Sequence, residues 1–166
     1  ALGYVFVAAL EVAALAGVAP RRTTEIDVAA AHLEQLAREW GPDSADSAEP
    51  KQLARQLLGS IPLIYGAGPT RAVAYRWKCQ FNENAKLHAF SHHLPELDHN
   101  ELMGWERAAE SAPFSAVFLD DPDVQPRTAQ RIAITRSLIE EQAHTTVVVG
   151  PRTGTTLERL LSLALL

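Results

Sequence analysis

The sequence predicts an α/β fold built on a parallel sheet, and three observations carry that prediction. Short apolar runs at Ile61–Tyr65 (IPLIY), Ala116–Leu119 (AVFL) and Thr145–Val149 (TTVVV) have the length and composition of buried strands. Helical patterns separate these runs, and short strands alternating with helices join as parallel strands with crossover helices. The length, 166 residues, suits one domain that can bury about two-thirds of its unfolded surface without staples.

The elements follow in order. Leu2–Gly17 is apolar on every side of a helix, with Gly17 as its stop. Such a helix is either an ordinary core helix or one buried between two domains or two subunits. Thr23–Trp40 is a second helix, with Thr24 as its N-cap, Asp27 in the first turn, and Val28, Leu33, Leu36 and Trp40 as its apolar stripe. Gly41–Pro50 is polar and turn-rich, an exposed loop, and Pro50 opens a short helix to Leu58. Residues 1–60 are thus leading helices and 61–166 the α/β core. In that core IPLIY runs into Gly66-Ala67-Gly68 and then a helix from about Pro69, a strand, tight turn and helix in succession. A weaker strand is expected at His88–Ser91. Arg127–Gln142 is helical, with Ile132, Thr135, Leu138 and Ile139 on one face, and a last helix follows Gly154.

Composition excludes several classes. Fifteen basic against 20 acidic residues give a net charge of −5, which leaves nucleic-acid binding without support. The single cysteine, Cys79, forms no internal disulfide and does not point to an oxidising compartment; a cytoplasmic setting is expected. The apolar runs fall far short of the ~20 residues that span a bilayer, so no membrane role is expected. Ala1 opens directly on an apolar segment and Leu166 lies inside a helical pattern, so the chain is expected to be a piece of a longer one.

Three constellations could carry chemistry. The first is Arg76–Lys86 (RWKCQFNENAK). At helical spacing Val73, Trp77, Phe81 and Asn84 share one stripe, which reads as core. Arg76, Cys79, Glu83 and Lys86 share another, which reads as a solvated face with helical ion pairs. The second is Leu94–Trp105 (LPELDHNELMGW), where His99 sits between Asp98 and Asn100 in a loop or short helix. His92, His93 and His99 lack any standard zinc spacing, and Cys79, mid-helix beside an aromatic residue, makes a poor nucleophile. The third is Gly66-Ala67-Gly68. It lacks the further glycine of a dinucleotide fingerprint, and a tight turn explains it as well as a phosphate does.

Taken together and in order, Leu2-Gly3-Tyr4, IPLIYGAG (61–68), AVAYRWKCQFNENAK (72–86), LPELDHNELMGW (94–105) and RTGTTLERLLSL (152–163) resemble the second half of the bifunctional phosphoglucose/phosphomannose isomerases, members of the sugar-isomerase (SIS) superfamily. The resemblance implies a three-layer α/β/α sandwich with a parallel sheet, flavodoxin-like or Rossmann-like. This chain would be the single C-terminal SIS subdomain of a two-subdomain enzyme. It implies an aldose–ketose isomerase that interconverts glucose 6-phosphate or mannose 6-phosphate with fructose 6-phosphate through a cis-enediol, with no metal or organic cofactor.

By the same resemblance Glu83 of NENAK matches the general base, a task that partial burial beside Phe81 would suit. His99 of HNE matches the ring-opening residue, which reaches the active site of the partner subunit in a homodimer. The family's Ser/Thr-rich phosphate loop and an enediolate-stabilising Arg belong to the first subdomain. A catalytic Lys lies beyond the equivalent of Leu166, and Lys51, Lys78 and Lys86 do not match it. The 166 residues alone are therefore expected to be inactive. The alternatives are a non-catalytic sugar-phosphate-binding SIS regulatory domain, which needs no base, or a dimerisation domain.

Overall fold

Four strands form one parallel sheet: β1 (Ile61–Ala67), β2 (Phe90–Leu94), β3 (Phe114–Leu119) and β4 (Thr145–Val149), in the order β2–β1–β3–β4. The computed structural model describes residues 2–152 and 154–166. Tyr65 lies between His92 of β2 and Phe118 of β3. The two central strands, β1 and β3, are the most buried stretches of the sheet; β4, at the edge, leaves Val148 exposed. The expected weak strand forms two residues later than His88, because Ala89 turns into the core and only Phe90–Leu94 pairs with β1.

Side-chain alternation sends the sheet's residues to two separate cores. On one face Ile64, Val117, Leu119 and Val149 meet Leu53 and Trp77. These come from α3 (Glu49–Leu57) and α4 (Thr70–Gln80); α7 (Thr156–Leu165) adds Leu163. On the other face Tyr65, Ala116 and Phe118 meet Leu97, Trp105 and Ile132. That layer comprises two 3-10 stretches, Glu96–His99 and Glu101–Arg107, the short α5 (Ala108–Ser111) and α6 (Pro126–Ile139). The result is the three-layer α/β/α sandwich. Leu138, placed on the inner face of α6 by spacing, is exposed; Ile132, Thr135 and Ile139 carry the contact.

The leading helices behave differently from one another. α2 (Thr23–Glu39) turns Leu36 inward as predicted, with Leu33 and Trp40 half-buried, but Ala29 is buried in place of Val28, which is exposed. Its N-cap is Arg22, not Thr24, and no side chain caps it; Arg22 instead pairs with Glu25. Helix α1 (Leu2–Leu15) has no buried residue, and Tyr4, Val12 and Leu15 are exposed. It is not a core helix of this chain. Gly17, at φ +71°, ends it as expected. Among the described residues no helix is long and apolar enough to cross a membrane.

The turn that follows β1 is fixed by glycine. A Cβ on Gly66 would stand 2.5 Å from the Thr70 carbonyl oxygen and 2.8 Å from the Arg71 nitrogen. The backbone of α4 therefore packs directly onto β1. The Thr70 hydroxyl accepts the Ala67 N–H at 2.9 Å and lies 2.9 and 3.2 Å from the Ala67 and Leu119 carbonyls. It joins the carboxyl ends of β1 and β3. Gly66→Ala is expected to cost about 2–3 kcal/mol, a fall in Tm of about 5–10 °C. Gly150→Ala, with open space around its Cβ, should leave Tm nearly unchanged. Thermal unfolding of the two variants checks the claim.

At the far side Arg159 of α7 is buried and bonds both Asp121 oxygens, at 3.1 and 3.3 Å, the Gly154 carbonyl at 2.9 Å, and Asp123. Asp121 is itself buried, so each charge depends on the other for solvation. A capping box of Thr155 and Glu158 starts α7, and His32 of α2 reaches Glu158 at 3.5 Å. The backbone N–H and hydroxyl of Thr155 hold the Glu158 carboxyl below its usual range.

Candidate active site

Glu83 sits where α4 stops being an α-helix. Val73, Ala74 and Trp77 anchor α4, and the Trp77 indole donates to the Leu163 carbonyl at 2.6 Å. From Phe81 to Ala85 the chain widens into a π-helical turn, a form often found at functional sites. It ends at Lys86 in the left-handed region, φ +59°, uncommon for a residue other than glycine. Asn84 lines the same groove as Trp77 and Phe81 but is exposed rather than core.

The other polar side chains of NENAK hold this turn. Asn82 donates to the Leu87 carbonyl at 2.8 Å, Asn84 to Gln80 Oε1 at 2.7 Å, and Lys86 Nζ to the Glu83 carbonyl oxygen at 2.5 Å. Of the polar side chains of NENAK, only the Glu83 carboxylate has no partner among the described residues. It is exposed, not partly buried as expected, because Phe81 turns inward toward an apolar groove of about 350 Å³ shared with Leu53, Trp77 and Leu165. The motif thus builds a rigid turn that presents one carboxylate.

His99 lies on the other face of the sheet, at the end of the first 3-10 stretch, and is also exposed. Its neighbours are pinned. Leu97 is fully buried. Asp98 Oδ1 accepts from Thr135 of α6 at 2.7 Å, and Arg131 stands 3.5 Å from Oδ2. Asn100 Oδ1 accepts the Glu101 N–H at 2.5 Å. Glu101 Oε1 accepts from the Tyr65 hydroxyl at 2.5 Å, and that hydroxyl accepts from Trp105 Nε1 at 2.9 Å. Burial and the Glu101 charge push the Tyr65 phenol far above its usual range, so it remains a donor.

Glu83 and His99 are therefore not brought together within one copy. Phe81, beside Glu83, packs on the Ile64 and Val117 face; Leu97, beside His99, packs on the Tyr65 and Phe118 face. The sheet lies between them. Nor does either line the crevice at the carboxyl ends of β1 and β3, where the strand order reverses and open α/β sheets usually take ligands. A cavity of about 410 Å³ lies there, and a second of about 580 Å³ adjoins it along α4 and β2; the two share Gly68, Pro69, Arg71 and His93. Partial burial, then Arg71 and His92, hold the His93 imidazole below its ordinary value.

Sequence reasoning named Glu83 and His99 but missed the groups that hold their segments. The π-helical turn left one trace, two asparagines flanking Glu83 near a helix end, where their side chains compete for backbone groups. The Tyr65–Glu101–Trp105 link left none beyond its membership in two of the matched motifs.

Comparison with known proteins gives a consistent answer. The model of the bacterial phospho-glucose isomerase C-terminal SIS domain matches residues 46–166. A bifunctional phosphoglucose/phosphomannose isomerase of Caldicellulosiruptor bescii is 33% identical over 143 residues, which cover 84% of this chain and 42% of that protein. One of Thermoplasma volcanium is 39% identical over 95 residues, covering 56% and 31%. One of Aquifex aeolicus is 36% identical over 91 residues, covering 55% and 28%. The chain spans less than half the length of these curated relatives.

Proposed function

Since the chain belongs to the bacterial phospho-glucose isomerase C-terminal SIS domain family, we propose that it is the C-terminal half of an enzyme interconverting glucose 6-phosphate or mannose 6-phosphate with fructose 6-phosphate. Residues 1–60 supply its leading helices and 61–166 its α/β core. The enzyme works in the cytoplasm as a homodimer. The carrying observation is the separation of Glu83 and His99 on opposite faces of the sheet, each exposed on a segment that its neighbours hold rigidly. One copy cannot offer both groups to one sugar, whereas a site shared between two copies can.

The chemistry assigns each group a task. His99 takes the proton of the anomeric hydroxyl and returns one to the ring oxygen as the C1–O5 bond breaks, giving the open-chain aldose. Glu83 removes the proton from C2, and the electron pair forms the C1–C2 double bond while O1 gains a proton. The resulting cis-enediol takes the proton back at C1 as O2 becomes the ketone. Charge developing on the oxygens needs fixed positive charge nearby. That charge and the phosphate loop come from outside these 166 residues.

A coupled assay with fructose 6-phosphate on the full-length parent tests the reading. Conversion supports it. A parent that binds sugar phosphates without turnover favours a regulatory domain, whose ligand would lie in the Arg71–His93 crevice. The 166-residue chain alone, shown folded by circular dichroism, is expected to give no turnover; measurable turnover overturns the assignment of the phosphate loop to another part of the protein.

A further inference from the structure

Resting on that reading, we propose that Tyr65 and Glu101 are positioning residues that fix the segment carrying His99. The Tyr65 oxygen is the node of a directed chain. Trp105 Nε1 donates to it, so its own hydrogen is left for Glu101 Oε1. Tyr65 and Trp105 are buried and Glu101 is half-buried. Glu101 and Trp105 belong to the same 3-10 stretch, Glu101–Arg107, so one hydroxyl of the central strand β1 ties that stretch at two points. Packing alone does not call for the hydroxyl. The Tyr65 ring stands 5.2 Å from that of Phe118 in an apolar cluster, where a phenylalanine would fill the same space but leave the Trp105 N–H and the Glu101 carboxylate without their shared partner.

The hydroxyl holds the His99 segment. Asp98 is bonded to α6 on one side of His99, and Glu101 to β1 on the other. The His99 side chain has no hydrogen bond or ion pair among the described residues. Its placement therefore comes from these two clamps, and the one on β1 is the tie to the sheet. Misplacing a reacting group by about 1 Å can cost on the order of a hundredfold in rate.

The test uses the full-length parent. In Tyr65→Phe the expected result is a fall in kcat of roughly ten- to a hundredfold with KM within about twofold, and a shift of the His99 imidazole NMR signals. Phe118→Leu, which disturbs the same core and leaves the hydroxyl link, should lower Tm yet leave kcat and the His99 signals near wild type. Glu101→Ala, at a half-buried position, should repeat the Tyr65→Phe result, and Glu101→Gln, which still accepts from Tyr65, should restore most of the activity. The proposal is overturned if His99 signals and kcat are unmoved in Tyr65→Phe and Glu101→Ala, or if Phe118→Leu changes them equally. A wild-type parent without isomerase activity defeats the functional reading instead, and the His99 signals of the same variants then decide the positioning claim.

Discussion

If Glu83 is the proposed general base, replacing it by Gln in the full-length parent is expected to lower the isomerisation rate by about a thousandfold, within the range for loss of a positioned general base. KM should stay nearly constant and the fold should not change. The structure makes this substitution unusually clean. The Glu83 carboxylate is exposed and has no hydrogen bond or ion pair among the described residues, so nothing structural is lost with its charge. The turn is held by Asn82, Asn84 and Lys86 through bonds that do not use the Glu83 side chain. Gln keeps the length and the polarity and removes only the ability to take a proton. Glu83→Asp is expected to fall between the two, because it keeps the base but withdraws it by one methylene. Rates from the coupled assay and melting curves check both. A variant that retains within tenfold of wild-type turnover removes Glu83 from the role of base.

Much of the fold was legible because it rests on local rules. IPLIY and AVFL are apolar on both sides, as strands covered on both faces must be, and each became a central strand; TTVVV became the edge strand β4, with Val148 exposed. Gly66 was legible as a turn residue, although not that it lies within β1 against the backbone of α4. The failures have a common cause. Val28 and Leu138 were placed by spacing alone, and a helix takes its rotation from what it packs on. Helix α2 turns Ala29 inward because a small residue lets it approach closely, and His32 then reaches Glu158 of α7. Nothing within the segment of α2 announces a partner more than a hundred residues away.

The site was legible in a different sense. Its candidate residues, Glu83 and His99, were named by their likeness to a family, and the structure supplies the physical account of the residues around them. Asn82 and Asn84 are poor helix formers, and here their side chains bond the turn that presents Glu83. Lys86, which a charge pattern places on a solvated face, sits in a left-handed conformation and returns its ammonium to the Glu83 carbonyl. Periodicity extends an α-helix through Phe81–Ala85 because it has no way to express a π-helical turn. The Tyr65–Glu101 link joins residues 36 positions apart in sequence, and only the folded sheet brings them together.

Mixing two inactive full-length variants restores activity if Glu83 and His99 serve one substrate from different copies. Glu83→Gln and His99→Asn are each expected to be nearly inactive. Both side chains are exposed, so neither change should weaken the fold. When subunits reassort at random, about half of the dimers are mixed. In a mixed dimer with shared sites, one site receives native Glu83 from one subunit and native His99 from the other, and the second site receives both defects. Half of the sites in half of the dimers then work, and about a quarter of wild-type activity returns. If instead both groups came from the same copy, every site in the mixture would carry one defect and no activity would return. The placement of the two residues on opposite faces of the sheet selects the first outcome. Failure to recover activity, with mixed dimers verified by mass spectrometry, would mean that a rearrangement of residues 96–107 carries His99 around the edge of the sheet. Asp98–Thr135 and Tyr65–Glu101 would both have to break for that to happen.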